Sequence, residues 1–166
     1  MVRFVPMSEA EFAAYLEHAV PEYAQAHLRS GDCEADEALT LAQADYQSLL
    51  PLGLATEGQH FFTVHADGEP GAVGMIWFSA RERPGKDSAY IYDIRVREEL
   101  RGKGYGKATL EALEQKLAEM KIGRVGLYVM GWNTGARALY ERQGYSVTGI
   151  GMHKVLESPV ATTIKA

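Results

Sequence analysis

Arg101-Gly102-Lys103-Gly104-Tyr105-Gly106 puts three glycines into five positions, between a β-rich run ending at Val96 and an amphipathic run starting at Gly106. Glycine lets the backbone turn tightly and lets a ligand come close to it. The first N–H groups of a helix lack partners within the helix, and with the helix dipole they favour an anion. The dipole alone contributes about 0.3–1 kcal/mol. Arg101, Lys103 and Lys107 would add charge-assisted contacts. The loop therefore reads as a phosphate cradle at a helix mouth; a plain glycine turn is the alternative.

Two common phosphate motifs are excluded by register. The Walker pattern needs a glycine where Arg101 stands, and a Ser or Thr where Ala108 stands. The dinucleotide pattern G-x-G-x-x-G fails because Gly102 and Gly104 are followed, at the third glycine position, by Lys107.

Outward from the loop, the elements can be read by period and punctuation. Upstream, Ala89–Val96 is β-rich, and Arg81–Ser88 with Pro84-Gly85 is a loop. His60–Ala66 and Ala72–Ser79 form a hairpin around Asp67-Gly68. Ser8 and Glu11 make a capping box for a first helix with Phe12, Tyr15, Leu16 and Ala19 on one face. Pro21 is expected to kink or split that helix, and Gly31 to end it. A second helix is expected from about Asp36 to Leu50, with Leu39, Ala42, Tyr46 and Leu49 inward. Arg3–Val5 is a short first strand. Downstream come a helix from Gly106 to Met120, a strand from Arg124 to Met130, and a short helix from Asn133 to Gln143. A closing hairpin is expected from Tyr145–Val147 and Ile150–Leu156. The order β-α-α-β-β-β-α-β-α-β-β implies an α/β (α+β) fold: a mixed, mostly antiparallel sheet of about seven strands with helices on both faces. Residues 1–157 are expected to form one domain and 158–166 a disordered tail.

The chain of 166 residues carries a net charge of −5, which argues against a nucleic-acid partner. Residues 1–60 hold two basic and ten acidic residues, a net −8, so the remainder is +3. No apolar run reaches the ~18 residues a membrane span needs. The lone Cys33 has no disulfide partner, which makes a cytoplasmic setting the expectation. Its acidic surroundings make it an inert thiol. His60 and His65 are five apart on a strand, hence on opposite faces, so no metal site is expected.

A second block decides what kind of anion the loop holds. Arg101, Gly104 and Gly106 fit R/Q-x-x-G-x-G/A, and Asn133, Ala136, Leu139, Tyr140, Gly144 and Tyr145 fit N-x-x-A-x-x-L-Y-x-x-x-G-F/Y. Together, one helix and one strand apart, they resemble the GNAT superfamily of N-acetyltransferases, and the element order follows that family over residues 1 to about 156. Within it the chain is similar to small, stand-alone bacterial-type members.

The resemblance implies an acetyl-CoA-dependent enzyme that acetylates an amine, with acetyl-CoA as co-substrate and no metal. It implies that the amides of Gly102, Lys103, Gly104, Tyr105 and Gly106 hold the pyrophosphate, with Arg101, Lys103 and Lys107 around it. Ile94, Arg95 and Val96 would pair their backbone with pantetheine, as a splayed strand leaves such groups free. Asn133 would bond the pantetheine arm beside Ala136; its alternative role is a helix N-cap. Tyr140 occupies the position of a general acid for the departing thiolate; the alternative is core packing.

An amine with a pKa of about 10.4 is neutral in only about one molecule in 2,500 at pH 7, so a base is needed. Asp93, on the strand before the loop, occupies about the place where many family members carry a carboxylate. Its alternative is a salt bridge to Arg95 or Arg124. Strand alternation puts Asp93 on a face with Ile91 and Arg95 unless a bulge intervenes. The acidic cluster Asp32, Glu34, Asp36 and Glu37 reads as favourable charge at the start of the second helix; the alternative, from the resemblance, is a border of the acceptor groove that attracts a cationic amine. A non-catalytic acyl-CoA sensing domain is the rival function. A homodimer would cover exposed edge strands.

Overall fold

The computed structural model describes residues 1–81 and 87–154. Its elements run β1 (Val2–Pro6), α1 (Glu9–Ser30), α2 (Ala38–Leu49), β2 (Gln59–Ala66), β3 (Ala72–Arg81), β4 (Ser88–Val96), α3 (Tyr105–Glu119), β5 (Val125–Leu127) and α4 (Thr134–Arg142). The strands form one sheet in the order β1-β2-β3-β4-β5. The first three pairings are antiparallel, and β4–β5 is parallel.

Helices cover both faces of the sheet. On one face, Phe12, Tyr15 and Ala19 of α1 pack on Phe61, Met75 and Trp77. On the other, Leu110, Leu113 and Leu117 of α3, with Tyr140 of α4, pack on Val64, Ile76, Phe78 and Ile91. The α1 face is an aromatic stack. Phe61 lies 4.9 Å from Trp77, and Tyr92 lies 4.4 Å from Trp77 on the other side. Such ring pairs contribute about 0.5–1.5 kcal/mol beyond their area.

Three expectations are corrected. Helix α1 is not split at Pro21 and runs unbroken from Glu9 to Ser30. Buried Tyr15 and Ala19 before the proline and Ala24 after it anchor both halves to the core, which outweighs the lost backbone bond. In α2, Ala42 is buried and Tyr46 and Leu49 pack on the aromatic core as expected, but Leu39 is 48% exposed and Ala38 is buried in its place. Small residues face α1 there: Ala24 of α1 packs on Ala38 and Ala42.

The sheet has five strands among the described residues, not seven. Tyr145–Val147 and the described part of the second expected strand, residues 150–154, are not β-structure. Gly149 and Gly151 offer no side chain to pack, and Val147, Ile150 and Met152 are exposed, so the segment has no buried face to pay the cost of ordering a ladder. Residues 155–156 of that strand, the 158–166 tail and most of the Arg81–Ser88 loop lie outside the described residues.

Candidate active site

A bulge in β4 sets the site. Trp77 pairs with Asp93, but its neighbour Phe78 pairs with Ile91, so Tyr92 is an extra residue. The insertion turns both Tyr92 and Asp93 toward α1, while Ile91 stays in the core under α3. Asp93 therefore does not share a face with Ile91, although it does share one with Arg95.

On the α1 side the Asp93 carboxylate, 20% exposed, meets two donors. Arg95 Nε donates to Asp93 Oδ2 at 2.7 Å, and the Tyr15 hydroxyl donates to the same oxygen at 2.9 Å. Arg95 Nη1 reaches on to Glu22 Oε2 at 2.6 Å. The salt bridge foreseen for Asp93 thus exists, and its partner is Arg95. The Asp93 charge and that of Glu22 raise the Arg95 pKa against the opposing effect of burial. Burial, then Asp93, pushes the Tyr15 hydroxyl far above the ordinary tyrosine value.

On its other edge β4 parts from β5. Their register runs only through Ala89↔Val125, Tyr90↔Gly126 and Ile91↔Leu127. Strand β4 continues to Val96, so Ile94, Arg95 and Val96 lie beyond the paired stretch. A strand edge of this kind is a template for an extended ligand.

The chain then enters the glycine loop. Gly102 (φ 77°) and Gly104 (φ 88°) both adopt the left-handed conformation, which a Cβ disfavours. Gly104 is the N-cap of α3, and no side chain accepts a bond there. By contrast, Ser8 and Glu11 form a reciprocal capping box on α1, and Asn133 caps α4. The first-turn amides of α3 are therefore left to an outside acceptor, which is what an anion supplies. The residues present fit a pyrophosphate. Arg101 lays its Nε on the Val96 carbonyl at 3.3 Å, and Lys103 is exposed. Tyr105 donates its hydroxyl to Glu69 at 2.8 Å, and Lys107 pairs with Glu111 at 3.5 Å.

In the second block, Ala136, Leu139 and Tyr140 pack in the core that includes Ile91, Ile94 and Leu127. Asn133 Oδ1 accepts from the Ala136 amide at 3.2 Å, so its capping role is present. Tyr140 is 9% exposed and packs against Tyr145 at 5.6 Å between ring centres. Burial, then the Asp93 charge, then Tyr145, push Tyr140 up to about 12. Core packing is thus a feature of this side chain, and the charge of Asp93 acts on its hydroxyl.

Sequence reasoning missed Tyr15 and Glu22 as members of the site. The signal was available: they lie seven residues apart on α1, two turns along one face. Trp77 is core and donates to Gln59 at 2.7 Å, while Trp132 is exposed with the Arg29 guanidinium 4.4 Å above its ring. Burial and the carboxylates of Glu37, Asp32 and Glu34 raise the Cys33 pKa, consistent with an inert thiol.

Comparison with known proteins agrees with this geometry. Residues 14–145 match the family model described as Acetyltransferase (GNAT) family. An uncharacterised N-acetyltransferase of Bacillus subtilis (strain 168), YycN, is 34% identical over 155 residues, covering 93% of this chain and 99% of YycN. A second from the same organism, YdgE, is 30% identical over 151 residues, covering 90% and 95%. The crystal structure of YycN superposes with a TM-score of 0.89, covering 95% of this chain and 100% of that one at 33% identity.

Proposed function

The chain belongs to the GNAT family of acetyltransferases, and from that premise we propose that it moves an acetyl group from acetyl-CoA to a primary amine by direct attack. The observation that carries this reading is the opening of β4 from β5 beyond Ile91↔Leu127, with the uncapped mouth of α3 at its end. The amides of Gly102 to Gly106 hold the pyrophosphate, flanked by Arg101, Lys103 and Lys107. The free backbone of Ile94 to Val96 pairs with pantetheine, and Asn133 beside Ala136 bonds its far side.

In the reaction the neutral amine forms a C–N bond to the thioester carbonyl, and the C–S bond breaks. Asp93, through water, takes the proton released by the nitrogen. Tyr140 gives its proton to the thiolate and is reprotonated from solvent. Tyr140 is protonated at neutral pH and can donate, while the shift up to about 12 makes it a weaker acid than an ordinary tyrosine. The lone thiol Cys33 supports a reducing, cytoplasmic setting.

Thiol release from acetyl-CoA on mixing with polyamines, aminoglycosides, amino acids, peptides and lysine side chains tests the proposal. Stabilisation by CoA without thiol release from any of them would favour a sensing domain instead.

A further inference from the structure

A carboxylate beside a guanidinium tends to close into two parallel bonds. Among the described residues, Asp93 and Arg95 meet through one oxygen, with Nε on Oδ2 at 2.7 Å. Two side chains of α1 act on this pair from the same helical face. The Tyr15 hydroxyl holds Oδ2 at 2.9 Å, and Glu22 holds Arg95 Nη1 at 2.6 Å. Tyr15 is itself fixed: its ring lies 6.0 Å from Phe61, edge on, and the Arg95 guanidinium lies 5.4 Å over it.

We propose that Tyr15 and Glu22 are positioning residues that keep Asp93 in one-oxygen contact with Arg95, leaving Oδ1 free to take, through water, the proton of the amine. This rests on Asp93 being the base in the reaction above. The physical basis is competition. Tyr15 anchors the carboxylate at Oδ2, and Glu22 anchors the far end of the guanidinium. Rotation of either group toward the two-bond arrangement pulls against one of those anchors. With one anchor gone, Oδ1 closes onto the guanidinium, and a carboxylate with both oxygens paired is a poor base.

Tyr15→Phe removes the hydroxyl and keeps the ring; Glu22→Gln removes the charge and keeps the shape. Each is expected to lower kcat about tenfold, as a misplaced catalytic group does. KM for acetyl-CoA should stay within about twofold, because the donor site is untouched. The double variant should be no slower than the worse single, and neither change should lower kcat further in an Asp93→Asn background. Glu22→Asp, which keeps the charge, should recover part of the loss.

A crystal structure of the Tyr15→Phe/Glu22→Gln protein supplies an arm that needs no acceptor. It is expected to show both Asp93 oxygens about 2.7–2.9 Å from Arg95 nitrogens. Wild-type kcat in both single variants, or an unchanged one-oxygen contact in the double variant, overturns the proposal. A wild-type protein that releases no thiol with any amine sinks the acetyltransferase reading separately, while the crystal structure still decides the Asp93 geometry.

Discussion

Leu139 Cδ2 lies 3.0 Å from the point where a Cβ on Gly106 would stand, so the two motif blocks of the chain meet through a missing side chain. Gly106 is in the first turn of α3, and Leu139 is in α4 next to Tyr140. The contact fixes the glycine loop relative to the helix that carries Asn133 and Tyr140.

Gly106→Val should therefore act at both places. Overpacking of this kind costs about 1–3 kcal/mol, read from denaturant unfolding, and CoA-induced thermal stabilisation should be lost. Gly106→Ala should be nearly neutral, because the roughly 1 kcal/mol gained in helix propensity offsets a small shift of the Leu139 tip. Adding Leu139→Ala to Gly106→Val should restore part of the CoA response. A Gly106→Val protein that binds CoA as the wild type does would show that the two blocks are not coupled here.

What was legible in the sequence follows the same division between local and distant causes. The glycine loop and the Asn133 block could be read because their demands are local: a left-handed φ at Gly104 and a cap at Asn133 involve only near neighbours. The face of Asp93 could not be read, because the extra residue Tyr92 exists only relative to β3. The same holds for Pro21, where the core on either side holds the helix together, and for Leu39, which yields the interface to Ala38 and Ala42. The segment after Gly144 has β-formers at Tyr145, Val147 and Ile150, yet propensity without a packed face formed no strand there.

Asn133 holds two candidate roles that substitution can separate. Asn133→Asp keeps an N-cap oxygen of equal quality but removes the amide donor. It should leave stability within about 0.5 kcal/mol while raising KM for acetyl-CoA. Asn133→Ala should raise KM similarly and also cost about 0.5–2 kcal/mol. Equal KM values in all three proteins would leave Asn133 as a cap alone.

Tyr140→Phe should lower turnover at least about tenfold with little change in acetyl-CoA affinity. The pH response has a defined sign. Since the folded-state pKa is raised to about 12 from the ordinary 10, the stability tied to the protonated hydroxyl is fully present below pH 10 and is lost as pH rises toward 12. Denaturant midpoints between pH 9 and pH 12 should fall less steeply for Tyr140→Phe than for the wild type. Identical slopes would show that the hydroxyl is not held in its protonated form by burial and Asp93.

The central claim is that the Arg101–Gly106 loop delivers acetyl-CoA to a site where Asp93 and Tyr140 serve an attacking amine. The most direct measurement is simultaneous quantitation of free CoA thiol and acetylated amine when the wild-type protein meets acetyl-CoA and the amine panel, with the Asp93→Asn protein alongside. Equal amounts of both products are expected with at least one amine, and a rate lower by about 10²-fold or more in the variant. Saturable CoA binding with no thiol released from any amine, or an undiminished rate with Asp93→Asn, would contradict it.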